Sequence, residues 1–96
     1  MENILNFKFD PLEKELFIDH SFDALKTLVN DGRELEFRLG EHICFLSKYD
    51  TSKAFSLWVD EDELAFDSFE ELLERAKIDG MSLLEAWPKA KIKTLY

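Results

Sequence analysis

Cysteine, glycine, proline and positive charge are all scarce in this sequence, and each scarcity removes a class of protein. One cysteine, Cys44, leaves no partner for an internal disulfide, and its neighbours Ile43 and Phe45 mark it as a reduced, packed thiol. With three glycines and two prolines, few backbone positions are available to cradle a ligand. No glycine-rich phosphate loop, paired-cysteine motif or basic patch interleaved with aromatics occurs. No apolar run reaches the roughly 20 residues needed to cross a bilayer. The start, MENILNFKFD, lacks the basic segment and small-residue cleavage site of a secretory signal, so a cytoplasmic protein is expected. Twelve bases against 21 acids give a net charge of -9. Such a charge repels a phosphate backbone and an anionic membrane surface, so neither direct nucleic-acid binding nor membrane binding is expected.

What is present is a folding composition: 46% of the 96 residues are hydrophobic and nine are phenylalanine. This suits one domain, 1–96, with the N-terminal segment 1–31 as an accessory strand and helices. Leu5, Phe7 and Phe9 alternate with polar residues and read as a half-buried strand. Asp10, Pro11 and Glu13 look like a helix start, yet ELFID fits a strand equally, so 12–19 stays ambiguous. Ser21 can cap a clearer helix at 22–31, with Phe22, Leu25, Leu28 and Val29 as its stripe and Gly32 as its stop.

From Arg33 the period changes to two. Leu35, Phe37 and Leu39 alternate with Glu34, Glu36 and Arg38, Gly40 opens a turn, and HICFLS returns with apolar residues on both faces, as in a central strand covered on both sides. AFSLWV follows the polar loop KYDTSK as a third strand, and Leu64–Phe66 offers a short fourth. Ser68 with Glu71, and Ser82 with Glu85, have the spacing of reciprocal helix caps. Helices are therefore expected at 69–78, stopping near Asp79-Gly80, and at 83–87, stopping at Pro88. Lys89, Lys91 and Lys93 alternate with Ala90, Ile92 and Thr94, which suits an extended end. The expected fold is α+β: a three- or four-stranded antiparallel meander with helices packed mainly on one face.

From Leu35 to Trp87 the order of hairpin, third strand with acidic end, FEELLERAKIDG and SLLEAW resembles a group of short uncharacterised proteins of Gram-positive bacteria and their phages. The resemblance implies a fold and carries no activity with it.

Candidate sites follow from the side chains. Asp19-His20-Ser21 has the residue types of a hydrolase triad, but three consecutive side chains cannot form one; Ser21 as a helix cap explains it. His42 and Cys44 share a strand face, but no second histidine or cysteine lies nearby, His20 is far away in sequence, and zinc normally wants four ligands; a buried thiol and a turn-edge histidine explain them. No catalytic residue, cofactor or metal is expected, and an enzyme is the least favoured reading. Asp60, Glu61, Asp62 and Glu63 lack the alternating ligands and mid-loop glycine of a calcium loop. With Asp67, Glu70, Glu71 and Glu74 they place eight acids between 60 and 74. Facing one way, these would form an acidic ridge for a partner protein with a basic surface; part of the charge also suits the helix N-terminus. Trp58 would lie beside either Cys44 and Leu46 or Ile43 and Phe45, depending on register. The sheet face away from the helices needs a cover: the N-terminal segment, a second copy in a homodimer, or a partner. The expected function is thus a small acidic protein-binding module of the adaptor, inhibitor or immunity type. The alternative is a nucleic-acid mimic that occupies a DNA-binding protein. Trp87, just before Pro88, reads as a core anchor.

Overall fold

A computed structural model describes residues 11–48 and 54–96. The expected strand around Leu5–Phe9, the Asp10 cap and the centre of the KYDTSK loop lie outside the described residues.

The described residues begin with α1 (Pro11–Asp19) and α2 (Phe22–Asn30), which resolves the ambiguity of 12–19 in favour of a helix. Pro11 supplies the preset φ and needs no hydrogen-bond partner at the first position. His20, with φ of 53°, turns the corner between the two helices. Ser21 then caps α2, its Oγ accepting from the Ala24 N–H at 3.1 Å. At the other end the Gly32 N–H donates to the Val29 carbonyl and the Arg33 N–H to that of Leu28. That paired closure requires the left-handed φ of 93° that Gly32 adopts.

Strands β1 (Leu35–Leu39), β2 (His42–Lys48), β3 (Phe55–Val59) and β4 (Asp62–Phe66) form the antiparallel meander. A fifth strand, β7 (Lys91–Leu95), pairs with β1, so the sheet order is β4-β3-β2-β1-β7. The lysine-rich end is extended as its alternation implies, and it makes the sheet five-stranded.

Between β4 and β7 the chain runs through α3 (Phe69–Arg75), the two-residue strands β5 (Lys77–Ile78) and β6 (Met81–Ser82), α4 (Leu83–Ala86) and a 3-10 turn, Trp87–Lys89. The helix expected to reach 78 thus ends at Arg75. Asp79 and Gly80 both have positive φ, 53° and 82°, which makes them the centre of a tight hairpin turn instead of a helix terminus. That hairpin drives Ile78 into the core, where it is 4% exposed. Of the two expected reciprocal caps, Ser82 and Glu85 form the complete one. Ser68 accepts from the Glu71 N–H, but the Glu71 carboxylate lies 3.6 Å from Arg75 Nη1 instead of returning to the cap.

One core joins the four helices of the described residues to a single sheet face. Leu35, Phe37, Cys44, Leu46 and Leu57 meet Leu16, Leu25, Leu28, Leu72 and Leu83 there. Trp87 is its largest member: 1% exposed, edge-on to Phe37, with its indole N–H donating to the His20 carbonyl at 2.8 Å. That bond meets the demand a buried indole makes for a partner.

Candidate functional site

The strand register resolves the position of Trp58. Trp58 lies directly opposite Phe45 on β2 and Glu63 on β4, and Phe45 lies opposite Glu36 on β1. Ile43 pairs with Arg38, which in turn pairs with Lys91 of β7. All these residues point away from the helices, because side chains alternate along a strand and Leu35, Phe37, Cys44, Leu46 and Leu57 take the other side. Among the described residues no helix covers this second face. β2 is central, as expected; the strand of the N-terminal segment expected to cover its second side lies outside the described residues, and Ile43 is 48% and Trp58 40% exposed. Phe45 is shielded in part by its neighbours, with the Tyr96 ring 5.9 Å away. Tyr96, itself 57% exposed, holds its place over the face through a hydroxyl bond to Glu36 at 3.3 Å. Four large apolar or aromatic side chains therefore share this face, which is open around Ile43, Trp58 and Tyr96 and closed at Ser56, 1% exposed.

The acids of 60–74 do not share one surface. Asp60 and Glu61 form the two-residue turn between β3 and β4, whereas Asp67 and Glu70 lie past the far end of β4, about 20 Å away along the strand. Within β4, Asp62 points to the helix side and Glu63 to the open face, where it accepts from the Ser56 hydroxyl at 2.5 Å. Glu70 is paired with Lys26 across α2 and α3 at 2.8 Å, which holds its carboxyl below the usual range. Glu71 faces Arg75, and Glu74 is exposed on α3. The result is an acidic tip at one corner of the sheet, with scattered, partly paired acids at the other end. It is not the linear array that would imitate a phosphate backbone.

The tip is held by an ion cluster that sequence spacing did not suggest. Asp60, in the left-handed region at φ of 56°, accepts from the Ile43 N–H at 3.0 Å and from His42 Nδ1–H at 2.7 Å. His42 Nε2–H donates to Asp79 Oδ1 at 2.9 Å. With both ring nitrogens donating to carboxylates, Asp60 foremost, the His42 pKa rises from 6.5 to about 9 and the ring is an imidazolium at neutral pH. The Asp60 carboxyl is lowered in turn, first by His42 and then by the Ile43 N–H. This clasp ties the start of β2, the β3–β4 turn and the β5–β6 hairpin together. The distance in sequence, 37 residues from His42 to Asp79, explains why the pattern was not legible.

The remaining candidates have structural roles. Cys44 is fully buried, and desolvation pushes its thiol up to about 11. No hydrogen bond joins it to His42 among the described residues. His20 donates through Nε2 to the Ala90 carbonyl at 2.9 Å and stacks obliquely on Trp87, away from Asp19 chemistry. A depression of about 170 Å³ is lined by Leu39, Ile78, Asp79, Met81 and Lys89 among others, without His20, His42 or Cys44. Among the described residues no group of three or more histidine, cysteine, aspartate or glutamate side chains is arranged to hold a metal ion. No helix of the described residues is long and apolar enough to cross a membrane.

Comparison with protein families, curated proteins and solved structures found no match, so the fold and the side chains alone bear on function.

Proposed function

We propose that this chain is a small protein-binding module, of the adaptor or inhibitor type, that docks its partner on the open sheet face. The observation that carries the reading is the group of Ile43, Phe45, Trp58 and Tyr96 on a face against which no helix of the described residues packs. A cluster of large apolar side chains on a rigid sheet, rimmed by charge, is the usual make-up of a docking surface. Trp58 is the natural anchor, since tryptophan contributes most per residue when a partner completes its burial. Asp60, Glu61 and Glu63 of the acidic tip adjoin this cluster and favour a partner with a basic surface. Its contribution would lie in association rate and orientation, both sensitive to salt. Asp67, Glu70, Glu71 and Glu74, at the far end of β4, are too distant to belong to the same contact.

The test is capture from the native host with three baits: the wild-type chain, Ile43→Ser combined with Trp58→Ala, and Glu61→Gln combined with Asp62→Asn and Glu63→Gln. The apolar pair of substitutions is expected to abolish retention of the partner. The charge substitutions should slow its association at low salt. A partner retained equally by all three baits would place the contact elsewhere.

A further inference from the structure

The open face carries its charges in a polar arrangement. At the β4 side stand Glu61, at the turn, and Glu63; at the β7 side stand Arg38 and Lys91, directly paired across strands. Glu61, Arg38 and Lys91 are exposed and make no ion pair with another described residue. Between the two sides lies the apolar centre of Ile43, Phe45 and Trp58. Glu36, two residues from Arg38 on β1, also lies on this face and accepts from the Tyr96 hydroxyl. Two neighbouring cations with no ion pair among the described residues near one edge, and an acidic tip on the other, make this face complementary to itself.

We infer that a second copy of this chain occupies the open face, related to the first by a two-fold axis parallel to the central strand β2. The inference rests on the docking reading above and names the partner for it: the basic surface that the acidic tip requires is the β1–β7 edge of the same protein. The symmetry is dictated by the strand order. A two-fold axis along β2 places β1 over β3 and β7 over β4 of the second copy. Ile43 and Phe45 then face their own counterparts near the axis, as an isologous contact demands. At the level of Ile43, the cross-strand partners are Arg38 and Lys91 on one side and the Asp60-Glu61 turn on the other. The rotation therefore sets Arg38 and Lys91 of each copy against Asp60-Glu61 of the other. A two-fold axis lying across the strands would instead stack β4 on β4 and β7 on β7, acid on acid and base on base.

Two further quantities shape the expectation. The net charge of -9 per chain opposes association at long range, but at physiological salt the screening length of about 8 Å confines that repulsion and leaves the facing pairs largely intact. Five strands at about 4.8 Å and a strand length of about 17 Å give an in-plane footprint of roughly 400 Å² per copy. Counted over both copies that is about 800 Å², below the roughly 1,200 Å² of a standard stable interface, so the dimer should be weak, reversible and concentration-dependent.

Sedimentation of the full chain from about 10 μM to about 1 mM tests this directly. Wild-type protein is expected to pass from monomer to dimer. Arg38→Glu combined with Lys91→Glu, and separately Glu61→Lys, should each weaken the dimer by roughly tenfold or more. An equimolar mixture of the two should associate more tightly than either variant alone, because one contact of the mixed dimer is then the unaltered pair and the other sets the Glu61→Lys cation against the reversed edge. Ile43→Asp should abolish the dimer, with circular dichroism confirming that every variant is folded. A monomer at all concentrations, a dimer indifferent to Ile43→Asp, or a mixture that fails to recover would overturn the second copy as occupant. The docking reading fails separately, when a captured host protein is held equally by the three baits.

Discussion

The two tryptophans provide a sharp test of which sheet face is core and which is surface. Trp87→Ala should cost about 3–5 kcal/mol, the usual range for deleting a fully buried aromatic. Its 1% exposure means that almost the whole ring leaves a cavity, and the His20 carbonyl loses the 2.8 Å bond from the indole N–H. Trp58→Ala should cost about 1 kcal/mol, the scale of a cross-strand aromatic pair, because the 40% exposed ring leaves its space to water instead of to a void. For a domain of this size, each kcal/mol moves the melting temperature by about 4–8 °C. The expected separation between the variants is therefore about 10–30 °C. Urea denaturation followed by far-UV circular dichroism measures both at low protein concentration, where any dimer has dissociated. A Trp58→Ala loss equal to that of Trp87→Ala would mean that Trp58 belongs to a second core, and the open face would not be open.

Further expectations concern the ion cluster and the turns. His42 has its folded pKa raised to about 9 from 6.5, so its stabilisation is complete below pH 6.5 and lost as the pH rises through 9. Wild-type melting temperature should fall across that window, and His42→Ala should lack this fall; identical profiles would mean the clasp contributes nothing. Asp60, with its folded pKa lowered, adds stability that is lost on acidification through that lowered value, so Asp60→Asn should flatten the acid limb. Cys44, raised to about 11 from 9.0, carries about a hundredfold less thiolate at pH 8 than an unperturbed thiol. Its reaction with a thiol reagent should be at least that much slower in native than in urea-unfolded protein, and comparable rates would contradict its burial. Gly80→Ala meets no atom within 4 Å but must hold a φ of 82°, so a loss of about 1–2 kcal/mol in chemical denaturation is expected from backbone strain alone.

Local grammar was legible wherever one stretch of chain contained the whole cause. The Ser21 cap with its Gly32 stop, the Gly40 turn, and the Ser82–Glu85 reciprocal cap are such cases, and so is the period-two alternation of β1. Asp79-Gly80 was ambiguous because the same dipeptide can end a helix or turn a hairpin. Burial of Ile78 against the core, a tertiary effect, decides for the hairpin. The alternation of the C-terminal lysines announced a strand, but not that β1 would receive it, since that pairing spans some 60 residues. The acidic run misled by counting neighbours: consecutive strand residues point to opposite faces, and β4 separates the two acidic ends by its own length. HICFLS was read correctly as apolar on both sides. What no local pattern could supply is whether the second side is covered within the chain or by another molecule.

The proposed docking of a second copy on the open face is tested most directly by a concentration series of amide and indole NMR shifts. The expected result is a set of saturable shifts at Trp58, Ile43, Phe45, Arg38, Lys91 and Glu61, with α1 to α4 unmoved. Spectra that stay unchanged to about 1 mM, or shifts that map to the helical side, would contradict it.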